Sequence, residues 1–217
     1  MSAHLLHIQH DHNYGHSIFA ADIEIHEQKA LEQSDFVKEL YENHVVLNQD
    51  QIAKLEANIR MQSASELWYN ARKLRITASI MKEVCHRKST TSCSPFIRKK
   101  LAARSIETAA IAYGNKHEKD AISSYIGYHK SRGTDIEVTK CGLIVDASAP
   151  WLAASPDGIV LDPTQSEHKR RCLEVKCPFT CEKMTILDAC RQVTAFCLIK
   201  KNGKMYLSES HRYFYQV

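Results

Sequence analysis

Glycine and proline are scarce in this chain, 7 and 5 among 217 residues. With so few residues that break helices or open turns, long helices are expected. No apolar run approaches the roughly 18 residues that a membrane-spanning helix needs, so no membrane partner is expected. The opening residues, MSAHLLHIQHDHNYGH, lack a basic stretch followed by a long apolar one, so no secretory signal is read there. An intracellular protein, cytoplasmic or nuclear, is expected instead. A strong excess of charge is missing too. The net charge of +4 and pI near 8.6 are compatible with nucleic acid without pointing to it. No Cys-x-x-Cys pair occurs among the eight cysteines. The chain is long enough to bury a real core, so reduced thiols are expected rather than a disulfide scaffold. Cys172, Cys177 and Cys181 are poorly spaced for a structural zinc site.

What is present suits one globular domain with an appendage: 44% hydrophobic and 25% charged residues are ordinary for a folded soluble chain. Residues 1–20 carry His4, His7, His10, His12 and His16 and read as a poorly ordered tail rather than a metal-binding one. Residues 21–62 read as a helical extension. Ile23, Ala30, Leu31, Val37, Leu40 and Tyr41 recur at helical spacing, and Asn48 precedes a second amphipathic run through Ile52, Leu55 and Ile59. Residues 63–217 form the expected core domain.

Within it, residues 66–75 read as a helix, and Thr77 as the N-cap of another. Ser79 then lies in a first turn with free N–H groups, close to Arg72 or Arg75. That is a phosphate site in outline, the other reading being an ordinary capped helix with surface arginines. Helices follow at 96–104 and 106–131. Gly114 interrupts the second, at a cost of roughly 1 kcal/mol relative to alanine. Close approach of a strand or ligand is one reason to tolerate it, and Glu118 lies four residues on, on the same face. Short strands are expected at 135–139, 142–146 and 151–154, then a helix at 182–191 and a strand at 193–200. The turn Lys201-Asn202-Gly203-Lys204 leads to a return strand at 205–207. The last residues, HRYFYQV, read as a helix cut short by the end of the chain.

The stretch with most chemical content is SPDGIVLDPTQSEHKRRCLEVKCP, residues 155–178. Asp157 opens one apolar run, and Glu174 and Lys176 stand at i and i+2 of a second. On a strand those two project to one face, with Leu173 and Val175 turned inward. Two carboxylates facing one Mg²⁺, with a cation to stabilise an attacking hydroxide or a pentavalent phosphate, are what phosphodiester hydrolysis needs. A solvated face or a surface ion pair has the same residues, so the wider pattern decides.

Four blocks supply that pattern. They are Trp68, Arg72 and Ile76-Thr77-Ala78-Ser79; Gly114, Glu118 and Ala121; Ser155-Pro156-Asp157-Gly158 with Leu173-Glu174-Val175-Lys176-Cys177-Pro178; and His211, Tyr213, Phe214, Tyr215, Gln216 and Val217. In this order they resemble the lambda-exonuclease-like, YqaJ-type viral recombinase branch of the PD-(D/E)xK nuclease superfamily. The resemblance implies an α/β, restriction-endonuclease-like fold, a mixed central β-sheet flanked by helices. It implies metal-dependent hydrolysis of DNA, processive from a 5′ end in the best-known members. By the same resemblance Asp157, Glu174 and the Val175 backbone carbonyl hold Mg²⁺, with Mn²⁺ as a substitute. Glu118 assists the metal, and Lys176 orients or activates the water. Arg72 and Ser79, with Thr77 and Arg75, hold a DNA phosphate, and Gln216 sits near the site with Tyr213 as companion. DNA, duplex ends in particular, is the implied partner, and because known members often form closed rings around DNA, the resemblance implies a homo-oligomeric ring for a chain whose C-terminus were complete. The second glutamine of the family's last block is absent here. That leaves open a remnant nuclease acting as a DNA- or protein-binding module, and a zinc-stabilised domain built on the cysteines from Cys172 to Cys197.

Overall fold

The computed structural model describes residues 35–102, 107–166 and 169–216. The histidines of residues 1–20, the expected helical pattern before residue 35, and Val217 lie outside the described residues. The extension is helical from there on. Helix α1 spans Asp35–His44 and α2 spans Gln49–Asn58. Asn48 caps α2: its side chain accepts from the Gln51 N–H, and the Gln51 side chain accepts from the Asn48 N–H, both at 2.9 Å. Two N–H groups that a helix start leaves orphaned are thereby satisfied. Leu47, Ile52, Leu55 and the fully buried Ile59 pack on Leu143, Val145 and Ala153, and on Ala71 and Trp68 of α3 (Glu66–Lys73). Residues 47–59 thus belong to the main hydrophobic core.

The strands pair in two three-stranded sheets and a hairpin, giving the expected α/β architecture without one continuous ladder. In the first sheet β1 (Ile76–Thr77) runs parallel to β4 (Leu152–Ala154), and β3 (Ile144–Val145) antiparallel to it, in the order β1-β4-β3. The second is antiparallel, β2 (Glu137–Thr139), β5 (Gly158–Leu161) and β6 (Arg170–Leu173), in the order β2-β5-β6. Gly158 is required here, because a Cβ on it would lie 2.9 Å from Val138 Cγ1 and 3.2 Å from the Thr139 carbonyl. Helix α4 (Met81–Cys85) follows a 3₁₀ turn at Ala78–Ile80, and α5 spans Ser94–Ala102. The long helix α6 (Ala109–Ser131) starts at Thr108, whose Oγ1 accepts from the Ile111 N–H. Its Tyr125 and Ile126 cover the second sheet through Ile136, Val138, Val160 and Leu173. Helix α7 (Ile186–Gln192) and the hairpin β7 (Leu198–Lys201) and β8 (Lys204–Leu207) enclose a third cluster with Tyr213 and Phe214. Asn202 and Gly203 take φ of 48° and 78°, as a tight Asn-Gly hairpin turn demands.

Four expectations change. Thr77 ends a strand before it precedes a turn: the Ile76 N–H donates to the Trp151 carbonyl at 2.7 Å, and the β-branched pair takes the extended conformation. Its hydroxyl caps nothing. Among the described residues nothing lies within 4 Å of where a Cβ on Gly114 would stand, so none of the described strands approaches it. Glu174-Val175-Lys176 lie past the end of β6, because the Val175 N–H is taken by the Asp157 side chain at 2.5 Å instead of a ladder partner. The last described turn, Arg212–Gln216, is 3₁₀ rather than α-helical.

Candidate functional site

Asp157 stands in the link between β4 and β5, where the chain passes from the first sheet to the second. Glu174 follows the end of β6, the strand beside β5, so sheet pairing brings the two carboxylates to one edge. Glu118 stands on α6, near enough to respond to their charges, on the inward-facing side that it shares with Tyr113, Gly114, His117, Ala121, Ile122 and Tyr125. Burial raises the pKa of all three acids. For Glu118 the charges of Asp157 and Glu174 add to it, and for Glu174 that of Asp157 adds, with Lys176 opposing. For Asp157 the Val175 N–H and Lys176 oppose burial. The Lys176 ammonium pairs with Glu174 Oε1 and lies over the Tyr213 ring, 5.1 Å from its centroid.

A second cluster adjoins the first. The Arg72 guanidinium, at the end of α3, donates to Ser155 Oγ at 3.2 Å, to Ser79 Oγ at 3.1 Å and to Thr77 Oγ1 at 3.5 Å, and it stacks 4.3 Å from the Trp68 ring centroid. The Trp68 indole N–H donates to the same Ser155 hydroxyl at 3.0 Å. Burial lowers the Arg72 pKa, and the charge of Glu174 opposes that, so the two clusters share one electrostatic field. Its hydrogen-bond partners are neutral hydroxyls, which leaves the cation available to an anion. From α5, Lys100 donates to the carbonyls of Arg72 and Lys73 at 2.7 and 2.9 Å. Burial, then the Arg72 charge, pushes its pKa down to about 8.

The Arg212–Gln216 turn docks against residues 78–85, which brings the last sequence block onto the first. Lys82 donates to the Ser210 carbonyl, and Tyr215 stacks edge-on to His86 with centroids 5.2 Å apart. Gln216 Oε1 is buried with no hydrogen-bond partner among the described residues. Asp157, Glu174, Lys176, Glu118, Arg72, Ser79, Thr77 and Tyr213 therefore gather in one region.

Arg75 does not join them. It is 3% exposed, and its guanidinium donates to the Ala71 and Val45 carbonyls at 3.0 and 2.8 Å, which fastens α3 to the extension and leaves it unable to reach a phosphate. Two further residues went unread in the sequence. Gln62 donates to the Pro156 carbonyl beside Asp157, and Lys100 supports Arg72. Neither sits in a recognisable motif, and only the fold shows them.

Among the described residues, no three or more His, Cys, Asp or Glu side chains converge as a metal-holding group. A structural zinc site needs four such protein ligands, whereas Mg²⁺ takes one or two carboxylates and keeps several waters. Desolvated carboxylates that raise their neighbours' pKa values are hard oxygen donors that a divalent cation relieves, so the donor chemistry fits that ion.

A family model described as the YqaJ-like viral recombinase domain matches residues 67–216. Two crystal structures are similar to the chain. An alkaline exonuclease (LHK-Exo) from Laribacter hongkongensis is 28% identical, covering 54% of this chain and 55% of that one, with a TM-score of 0.38. LHK-Exo in complex with dAMP is 24% identical, covering 70% and 65%, with a TM-score of 0.44. The chain thus spans only 55% and 65% of those two structures. No curated protein matches significantly.

Proposed function

This chain belongs to the family of YqaJ-like viral recombinase domains, and we propose that it is a metal-dependent DNA nuclease, an exonuclease that hydrolyses phosphodiester bonds from duplex ends in the 5′-to-3′ direction. The observation that carries this reading is the junction at residues 155–157. Arg72, a cation bonded to hydroxyls, holds Ser155 two residues before Asp157, which supports reading an anion site beside the carboxylates. A terminal phosphate held by Arg72 and the exposed Ser79, with the buried Thr77 hydroxyl supporting both from behind, leaves the next phosphodiester near Asp157 and Glu174.

Mg²⁺, or Mn²⁺ in its place, supplies Lewis-acid polarisation and a water of lowered pKa when bound. Asp157, Glu174 and the Val175 carbonyl would hold it, with Glu118 at its margin. Lys176 orients the water and offsets the charge that develops on the phosphate. Tyr213 positions the Lys176 ammonium from its π face. Gln216, at the end of the last turn with its Oε1 buried and unpartnered among the described residues, is the further polar group of this reading.

The test is nucleotide release from a linear 5′-phosphorylated duplex. Wild-type chain with Mg²⁺ is expected to release nucleotides, and Asp157→Ala and Lys176→Ala to lower the rate by about 10²–10⁴-fold while still binding DNA. Binding that weakens with salt, with no cleavage under any divalent metal, would instead identify a remnant nuclease acting as a binding module.

A further inference from the structure

Two links carry the chain between its two three-stranded sheets. Residues 140–143 join β2 of the second sheet to β3 of the first, and residues 155–157 join β4 of the first to β5 of the second. Asp157 sits in the latter link. Neither ladder fixes its position, because pairing in the first sheet stops at Ala154 and in the second begins at Gly158.

One side chain spans both links. The Gln62 Nε2 amide donates to the Cys141 carbonyl and to the Pro156 carbonyl, each at 2.8 Å. Both amide hydrogens are used, and both acceptors are backbone atoms, so the two crossings are tied together where Asp157 departs. The segment before Gln62 reinforces the tie. Glu56 accepts from the Gly142 N–H at 2.9 Å while paired with Arg60. A Cβ on Gly142 would stand 2.1 Å from the Glu56 carbonyl, so this link lies directly against α2. Gln62 itself holds a φ of 46°, in the left-handed region that a non-glycine residue occupies only where its surroundings impose it. It lies outside the matched residues 67–216.

We propose that Gln62 is a positioning residue for the site. Through the Pro156 and Cys141 carbonyls it sets where the Asp157 carboxylate stands relative to Glu174. This rests on the nuclease reading. On it, losing the tie lets residues 155–157 shift, so cation affinity and turnover fall while the Arg72 cluster still holds DNA. Loss of a partner that orients a ligand typically weakens metal binding by about 10–100-fold.

The experiment compares wild type, Gln62→Met and Gln62→Asn. Methionine keeps the length of the side chain and removes both donors. Asparagine tolerates the left-handed backbone, which preserves folding, and is too short to reach both carbonyls. Mn²⁺ binding to the DNA-free chain is followed by electron paramagnetic resonance, alongside kcat, KM for duplex and Tm. The expected result is about tenfold or weaker Mn²⁺ binding in both variants, with kcat reduced in parallel and KM within about twofold of wild type. If Gln62→Met does not fold, Gln62→Asn decides alone. Wild-type Mn²⁺ affinity and kcat in a folded variant would overturn the proposal, as would a fall in Tm with Mn²⁺ binding unchanged. If the wild-type chain neither binds Mn²⁺ nor cleaves DNA, the nuclease reading itself fails. If wild type does both and the variants match it, only the role of Gln62 falls.

Discussion

Arg72 shows how a single residue can serve fold and ligand together. Its guanidinium touches three hydroxyls and an indole face, and burial lowers its pKa. Its hydrogen bonds go to neutral hydroxyls and the Glu174 charge offsets its burial only in part, a condition that an incoming phosphate relieves. Arg72→Ala is expected to weaken binding of a 5′-phosphorylated duplex by about tenfold or more, the worth of a charge-assisted hydrogen bond. The slope of log affinity against log salt should become shallower by about one. Arg72→Lys should recover only part, because a compact ammonium lacks the planar fork that reaches Ser155 from one nitrogen and Ser79 from the other, and the guanidinium face that stacks on Trp68. Fluorescence anisotropy across a salt series measures both quantities, and an unchanged affinity and slope would remove Arg72 from the phosphate site. At this scale the pattern of Trp68, Arg72 and Ser79 was legible, because the residue types carry the chemistry. The separate fate of Arg75 was not. Two arginines three residues apart read alike until the fold buries one against Val45 and turns the other to Ser155.

Among the elements, the segment before the matched region is the one whose weight the sequence understated. Its periodicity announced helices. That Ile59 lies at 0% exposure between α3 and the first sheet depends on contacts distant in sequence. Ile59→Ala is expected to destabilise the chain by about 2–5 kcal/mol, because it opens a cavity in the core. Val37→Ala in α1, where the side chain is 45% exposed, should change stability by about 0.5 kcal/mol or less. Urea denaturation midpoints check the pair, and equal effects would mean that the extension does not share the core. Strand β1 was invisible for a related reason. Two residues, Ile76 and Thr77, carry no period, and they become a strand only because Leu152 and Ala153 lie alongside.

Across the whole molecule, the raised pKa values of Glu118, Asp157 and Glu174 couple pH and stability, and on the proposed function they couple both to the cation. Without a cation, the folded chain holds these protons more tightly than the unfolded one. The groups therefore favour the fold at low pH and lose that contribution as pH rises through their raised values. A divalent cation needs the ionised forms, so its stabilisation runs the other way, present at neutral pH and lost on acidification. The increment in Tm produced by Mg²⁺ is expected to shrink as pH falls, starting above the usual carboxylate range, and to be largely absent in Asp157→Asn. A pH-independent increment, or one that survives in that variant, would place the cation elsewhere.

The residue types at positions 118, 157, 174 and 176, the helical period around 118 and the strand runs that lead up to 174 and away from 157 were legible in the sequence alone, because chemistry and local periodicity are properties of near neighbours. The sequence could not specify how those positions meet. Asp157 lies in a link between sheets, where no local rule sets its direction. Its place is decided by the Val175 N–H, by Trp68 and Arg72 on Ser155, and by the Gln62 amide, which spans 94 residues to the Pro156 carbonyl. Hydrogen bonds between groups so far apart in the chain exist only once the core has closed, and so the site's geometry belongs to the tertiary structure.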